Sequence, residues 1–277
     1  MRPAIPLQQF EIFADGLDHP EGLAFDRDDN LWAGGELGQV YRIDGKGRSK
    51  EVASVGGFNL GVTVSAAQDL FLCNLKKHSL IQVDRGGKLL RSWDRAGSYR
   101  FRTPNFSVFD SAGNLYFSDS GEWQENDGYI LVLRPNGRIE VFAGPFAFPN
   151  GLSLSADERT LFIVESTADA VRALPIKADG SAGKSRVFAR ALRRVPDGCA
   201  LDLDGNIYVT CYASHNIYKV TPAGKVSLFA EDTGGTMIAS PTNIAFRDGY
   251  MYFANLSRWH ICRVQTGVQA QPLVGTR

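Results

Sequence analysis

Apolar positions in this chain fall into short alternating or fully apolar runs, such as GLAFD, NLWAGG, QVYRI, NLYFSD, YILVL, TLFIVE and NIYVT. Gly, Asp, Asn or Pro bounds them. Runs of about five to seven residues with a period of two, rich in Val, Ile, Tyr, Phe and Trp, predict β-strands joined by hairpin turns. No stretch sustains a 3.6-residue period, so almost no helix is expected.

The runs also repeat. Clear copies are PEGLAFDRDDNLWAGG from Pro20, PNFSVFDSAGNLYFSD from Pro104, PNGLSLSADERTLFIVE from Pro149, PDGCALDLDGNIYVTC from Pro196 and PTNIAFRDGYMYFAN from Pro241. A weaker copy, FNLGVTVSAAQDLFLCN, starts at Phe58. Asn105, Asn150, Asp197 and Asn243 recur about every 46 residues, and each copy is followed by third- and fourth-strand candidates such as YILVLRP and RIEVFAG. A period of about 40–50 residues with four strands per unit is the propeller range. The expectation is all-β: a six-bladed β-propeller of four-stranded antiparallel blades, with residues 1–277 as one domain. Residues 10–15 and 268–274 both read as spare outer strands. One of them should close the ring on the last blade and remove an exposed edge, but the pattern does not say which.

Charge adds only exclusions. Lys+Arg and Asp+Glu both number 30, which gives no electrostatic footprint for nucleic acid or an anionic membrane. No apolar run approaches the length of a membrane span, and the first ten residues, MRPAIPLQQF, lack the apolar core of a signal peptide. A cytoplasmic location is expected. Four cysteines without CxxC spacing and four scattered histidines do not form a zinc motif. Cys199 and Cys211 flank the Asp204-Gly205 turn and are expected to face each other as reduced core residues.

In a propeller the first strand of each blade lines the axis, so residues entering those strands converge on one mouth. Here they are Glu21, Asn59 or a neighbour, Asn105, Asn150, Asp197 and Asn243. Carboxylate and amide oxygens without sulfur suit Ca²⁺ first, then Mg²⁺ or Mn²⁺. Asn and Asp ahead of a strand can equally be turn residues bonded to their own backbone. His19, close to Glu21, is a candidate proton shuttle or a strand-edge histidine. Asp119 and Glu122 sit in FSDSGEWQEND, a loop long enough to cover the mouth and to pack Trp123 on a substrate.

At these motifs the chain resembles the SMP-30/gluconolactonase family of six-bladed lactonases. PEGLAFD resembles its Glu-Gly segment, TPNFSVFDSAGNLYFSDSG its Asn-bearing third-blade motif, FPNGLSLSADERTLFIVES its Pro-Asn-Gly motif and VPDGCALDLDGNIYVT its Pro-Asp-Gly motif. The resemblance implies a metal-dependent hydrolase that opens a lactone at the central funnel. It implies a divalent cation (Ca²⁺ first, with Mg²⁺, Mn²⁺ or Zn²⁺ as alternatives) on Glu21, Asn150 and Asp197, with Asn105 as a further metal or substrate contact. Asp197 would be both ligand and general acid/base. Asn105, Arg102, Asp119, Glu122 and His19 are the candidate substrate contacts. The expected partner is a small-molecule lactone, and the protein a monomer or weak homodimer.

Two departures matter. Phe106 stands where many relatives have Asp, and Thr103 where some sugar-lactone members have Arg; Arg102 and Arg100 are the nearest arginines. With Phe58, Phe101 and Phe106 placed near the mouth, these point to a less polar ring than a sugar lactone. The D-x-x-G-N-x-Y turns also resemble NHL-type binding propellers. PNG and FSDSG also resemble strictosidine-synthase-like propellers, which include condensing enzymes. No G-x-S-x-G elbow is present, so a nucleophilic serine is not expected.

Overall fold

The computed structural model describes residues 3–190 and 192–276. Six four-stranded antiparallel sheets surround a central channel. Blade 1 runs Leu23–Phe25, Leu31–Gly34, Gln39–Ile43 and Ser49–Ser54. The inner strands of blades 2 to 6 are Asn59–Val64, Pro104–Phe109, Pro149–Leu154, Pro196–Leu201 and Pro241–Arg247. Among the described residues helix is confined to three single 3₁₀ turns, Leu7–Gln9, Tyr212–Ser214 and Val274–Thr276.

The repeated turn has a structural cause. Asp26, Asp110 and Asp202 end their inner strands, and each carboxylate accepts from the Asn four residues on: Asn30, Asn114 and Asn206. Each also accepts from the aromatic two residues further, Trp32 Nε1 at 2.8 Å, Tyr116 OH at 3.4 Å and Tyr208 OH at 3.3 Å. The buried polar end of the large ring is thereby satisfied, and the ring can fill the space between blades. Six apolar layers result, one between each pair of neighbouring blades.

The strand that closes the ring is Glu11–Ala14, which pairs antiparallel with His260–Gln265 of blade 6. The other candidate does something else. Residues 269–276 cross the far end of the channel as a strap. Leu203 N donates to Gln269 O, and Gln271 N donates to Leu201 O, both on blade 5. Gln271 Nε2 reaches Leu154 O of blade 4 at 3.0 Å, and Gln68 Nε2 of blade 2 donates to Gly275 O at 3.0 Å. The strap so occupies edge carbonyls that the innermost strands leave open. It closes a chamber of about 320 Å³ lined by inner-strand residues, among them Phe25, Phe106, Leu154 and Phe246.

Strand register corrects one expectation. Cys199 lies opposite Val209, and Cys211 opposite Pro196, because the hairpin is centred on Asp204, with Leu201 paired to Ile207. The two cysteines therefore do not face each other, and both are buried free thiols.

Candidate functional site

Most inner strands carry the same irregularity where they meet the mouth. The register shifts between Pro104 and Ser107, Pro149 and Leu152, Pro196 and Cys199, and Pro241 and Ile244. A bulge of this kind breaks the pairing locally and re-aims a side chain. The residues just before three of these prolines, and before Pro20, have left-handed backbones: His19 (φ 42°), Phe148 (φ 51°), Val195 (φ 59°) and Ser240 (φ 53°). A β-branched residue there is strained, and such strain collects at functional sites. Pro followed by a bulge thus turns the next side chain toward the axis.

Glu21, Asn105, Asn150, Asp197 and Thr242 together line the mouth. All five are buried. Asn59 and Asn243, expected in this ring, lie outside it. Pairing of Pro241 with Asn255 matches that of Pro104 with Asp119, so Thr242 is the counterpart of Asn105 and Asn243 falls one residue deeper. In blade 2 Asn59 itself takes the proline's place opposite Asn74. Its amide bonds Gln39 O and the Asn74 amide, leaving Leu60 as the ring counterpart. Just beneath, the inner strands crowd together. A Cβ on Gly151 would lie 2.6 Å from Asp197 O, and one on Gly198 2.5 Å from Thr242 O.

Two serines orient the ring amides. Asn105 Nδ2 donates to Ser120 Oγ at 3.0 Å, and Asn150 Nδ2 donates to Ser166 Oγ at 3.3 Å. Each serine hydroxyl donates in turn to the next blade, Ser120 to Pro149 O at 2.8 Å and Ser166 to Pro196 O at 2.7 Å. With its NH₂ engaged in this way, Asn150 keeps Oδ1 for other use. That oxygen and Asp197 Oδ1 are buried without a hydrogen-bond partner. Leaving such oxygens unpaired costs roughly 1–3 kcal/mol each, more for a charge.

The electrostatics agree. Burial pushes the Asp197 carboxyl up to about 7, with the Asn150 amide pulling the other way. Burial, and then the charge of Asp197, raises Glu21 well above the ordinary carboxylate range. Two desolvated carboxylates next to two amide oxygens, with orphaned acceptors among them, fit a hard divalent cation.

Above the ring the walls are apolar. Trp123, Phe148, Val195, Tyr212, Ala213 and Leu256 complete the lining. Phe148 and Val195 are the left-handed residues before proline. Tyr212 and Leu256 follow the second strands of blades 5 and 6, the place of Ser120 and Ser166 in blades 3 and 4. These positions recur in every copy of the repeat, which is the signal that would have found them. Phe106 and Phe101 are not at the mouth: Phe106 lines the far chamber and Phe101 is buried between blades 2 and 3.

The remaining candidates stand outside the lining. His19 Nδ1 lies 2.8 Å from Asp18 Oδ1 and 3.2 Å from Glu36 Oε2, a half-buried cluster at the turn between the second and third strands of blade 1. Asp119 accepts from Tyr99 OH at 3.0 Å and from the backbone N–H groups of Arg102 and Thr103. Arg102 pairs with Asp127, and Glu122 is exposed at the loop surface. Among the described residues no helix is long and apolar enough to cross a membrane.

The family pattern described as SMP-30/Gluconolactonase/LRE-like region matches residues 21–251. Lactonase drp35 of Staphylococcus saprophyticus is 29% identical over 244 residues, covering 81% of this chain and 74% of that protein. Lactonase drp35 of Staphylococcus aureus is 28% identical over 137 residues, covering 46% and 42% respectively. Among solved structures, a gluconolactonase from Xanthomonas campestris superposes with a TM-score of 0.81 at 19% identity, covering 92% of this chain and 89% of that one. The calcium-binding protein regucalcin from Agrobacterium tumefaciens gives a TM-score of 0.76 at 14% identity, covering 94% of each chain.

Proposed function

Since the chain belongs to the SMP-30/gluconolactonase/LRE-like family, we propose that it is a metal-dependent lactonase working at the oxygen ring of its funnel. The observation that carries this is the pair of buried, unpartnered oxygens, Asn150 Oδ1 and Asp197 Oδ1, in a ring with a second desolvated carboxylate, Glu21. Glu21, Asn105, Asn150 and Asp197 would hold the cation, Ca²⁺ by preference for oxygen donors. When bound, the cation supplies Lewis-acid polarisation of the ester carbonyl and charge to balance the oxyanion.

This chain's own residues do the rest. Asp197 takes a proton from the attacking water and returns it to the leaving ring oxygen. Ser120 and Ser166 hold the Asn105 and Asn150 amides in the orientation that turns their oxygens inward. Trp123, Phe148 and Tyr212 exclude water and offer stacking area to the substrate. Lactones bearing an alkyl or aryl group suit this lining better than polyhydroxylated sugar lactones, since among the described residues no cationic side chain lines the mouth. The test is Asp197→Asn, which keeps one ligand oxygen. It should still bind Ca²⁺ by calorimetry, more weakly for the lost charge, while losing about 10²–10⁴-fold in kcat at saturating Ca²⁺. Wild-type turnover in this variant would remove Asp197 from the chemistry.

A further inference from the structure

The loop between Leu115–Asp119 and Gly128–Leu133 of blade 3 carries Trp123 over the mouth. Trp123 is 49% exposed, and its ring meets Phe148 edge-on at 4.8 Å. That single aromatic contact does not fix a loop of this length. What fixes it is a carboxylate at the loop's end, Asp127. Asp127 Oδ1 accepts from Glu122 N at 3.0 Å, folding the loop back on itself. The turn closes so tightly that a Cβ on Gly121, at φ +73°, would lie 2.2 Å from Asp127 Oδ1.

Arg102 grips this closure from the neighbouring segment. Its Nη1 donates to Asp127 Oδ2 and its Nη2 to Asp127 O. Arg102 is itself anchored: its N–H donates to Asp119 Oδ2 at 2.8 Å, and its carbonyl accepts from His78 Nδ1. Thr103 adds a tie, with Oγ1 donating to Gly121 O at 3.0 Å. Two residues further on stands Asn105, in the ring. The same short segment therefore connects a ring ligand candidate to the loop that covers it.

We propose that Arg102 is a positioning residue: its guanidinium is committed to Asp127, and by that pair it sets Trp123 over the funnel rather than touching the substrate. The placement of the loop stands on geometry alone; its effect on substrate affinity rests on the lactonase reading above. A planar fork that serves a carboxylate and a carbonyl together is a task for Arg that Lys performs poorly.

The experiment uses full-length protein carrying Trp259→Phe, which silences the other strongly exposed tryptophan. Acrylamide quenching of Trp123 is measured in Arg102→Ala, Arg102→Lys, Asp127→Asn and the Arg102→Ala/Asp127→Asn double variant, each with a melting curve. Quenching should rise in both single variants and no further in the double, with Arg102→Lys between. For a lactone that is turned over, KM should rise about 3–10-fold with kcat held, the scale of one partly exposed ion pair. Should Arg102→Ala fail to fold, Asp127→Asn carries the same prediction. Unchanged quenching in folded Arg102→Ala or Asp127→Asn overturns the proposal. A KM rise in Arg102→Ala that Asp127→Asn does not share overturns it too, because Arg102 would then be meeting the substrate. If no lactone is turned over but quenching responds, the lactonase reading falls and the clamp stands.

Discussion

Replacing Asp197 by Asn should stabilise the metal-free protein at alkaline pH, although it removes a residue of the site. Burial raises the Asp197 carboxyl from its ordinary 3.8 to about 7. A carboxyl raised in the folded state holds its proton more tightly there than in the unfolded chain. Its contribution is therefore present at low pH, is lost as pH rises from the unfolded value to the folded one, and is constant above it. That displacement is worth about 4 kcal/mol, of which about 1 kcal/mol is already lost at pH 4.5. Wild-type protein in chelator should lose roughly 3 kcal/mol from this group between pH 4.5 and pH 8. Asn has nearly the same shape and no charge, so Asp197→Asn should escape that loss. Urea unfolding followed by circular dichroism, in chelator at both pH values, measures the difference. The variant should lead by about 4 kcal/mol at pH 8 and by about 1 kcal/mol at pH 4.5. With Ca²⁺ added at pH 8 that lead should shrink, since the cation pairs with the ionised carboxylate and a ligand that binds only the folded state stabilises it. Equal pH dependence in the two proteins would refute the claim that Asp197 is a desolvated carboxylate.

Ser166→Ala frees the Asn150 amide to turn over. It should weaken Ca²⁺ binding by about tenfold, the equivalent of one hydrogen bond, and calorimetric titration reads this; unchanged affinity would show that Ser166 does not orient the ligand. Glu21→Gln removes one of two charges and should lower Ca²⁺ affinity more than Ser166→Ala does in the same titration. Gly275→Val places a side chain where a Cβ already comes within 2.5 Å of Val64 O. It should lift the strap at a cost of about 1–3 kcal/mol, seen as a lower Tm and faster amide exchange at Gln271. Slow exchange at Gln271 in that variant would show the strap to be held elsewhere.

Blades 1, 3 and 5 were legible because their repeat is physical: an Asp, an Asn and an aromatic at set spacing make one turn, and the other blades follow at the same period. Glu21, Asn105, Asn150 and Asp197 were legible for a similar reason, each standing directly behind a proline that opens an inner strand. Asn243 was misplaced because it stands two residues after Pro241, where the ring position is the next residue, Thr242, and Asn59 because blade 2 has no proline to mark the position. Cys199 and Cys211 were mispaired because the hairpin is centred on Asp204 rather than one residue later. Of the walls of the mouth only Trp123 was anticipated. Phe148 and Val195 reach it through left-handed backbone that residue type does not announce, and Tyr212 and Leu256 occupy places held elsewhere by serine. Arg102, Asp119 and Glu122 belonged to the right segment but act within the loop that frames the funnel.

The most direct test of a cation-dependent lactonase at this ring is proton release from a lactone panel spanning alkyl, aryl and sugar rings. The protein is stripped with chelator and then supplied with Ca²⁺, Mg²⁺, Mn²⁺ or Zn²⁺. Turnover should vanish on stripping and return best with Ca²⁺, and it should favour lactones with an apolar substituent. Hydrolysis that survives complete removal of the metal, or no hydrolysis of any lactone with any of the four cations, would contradict the account.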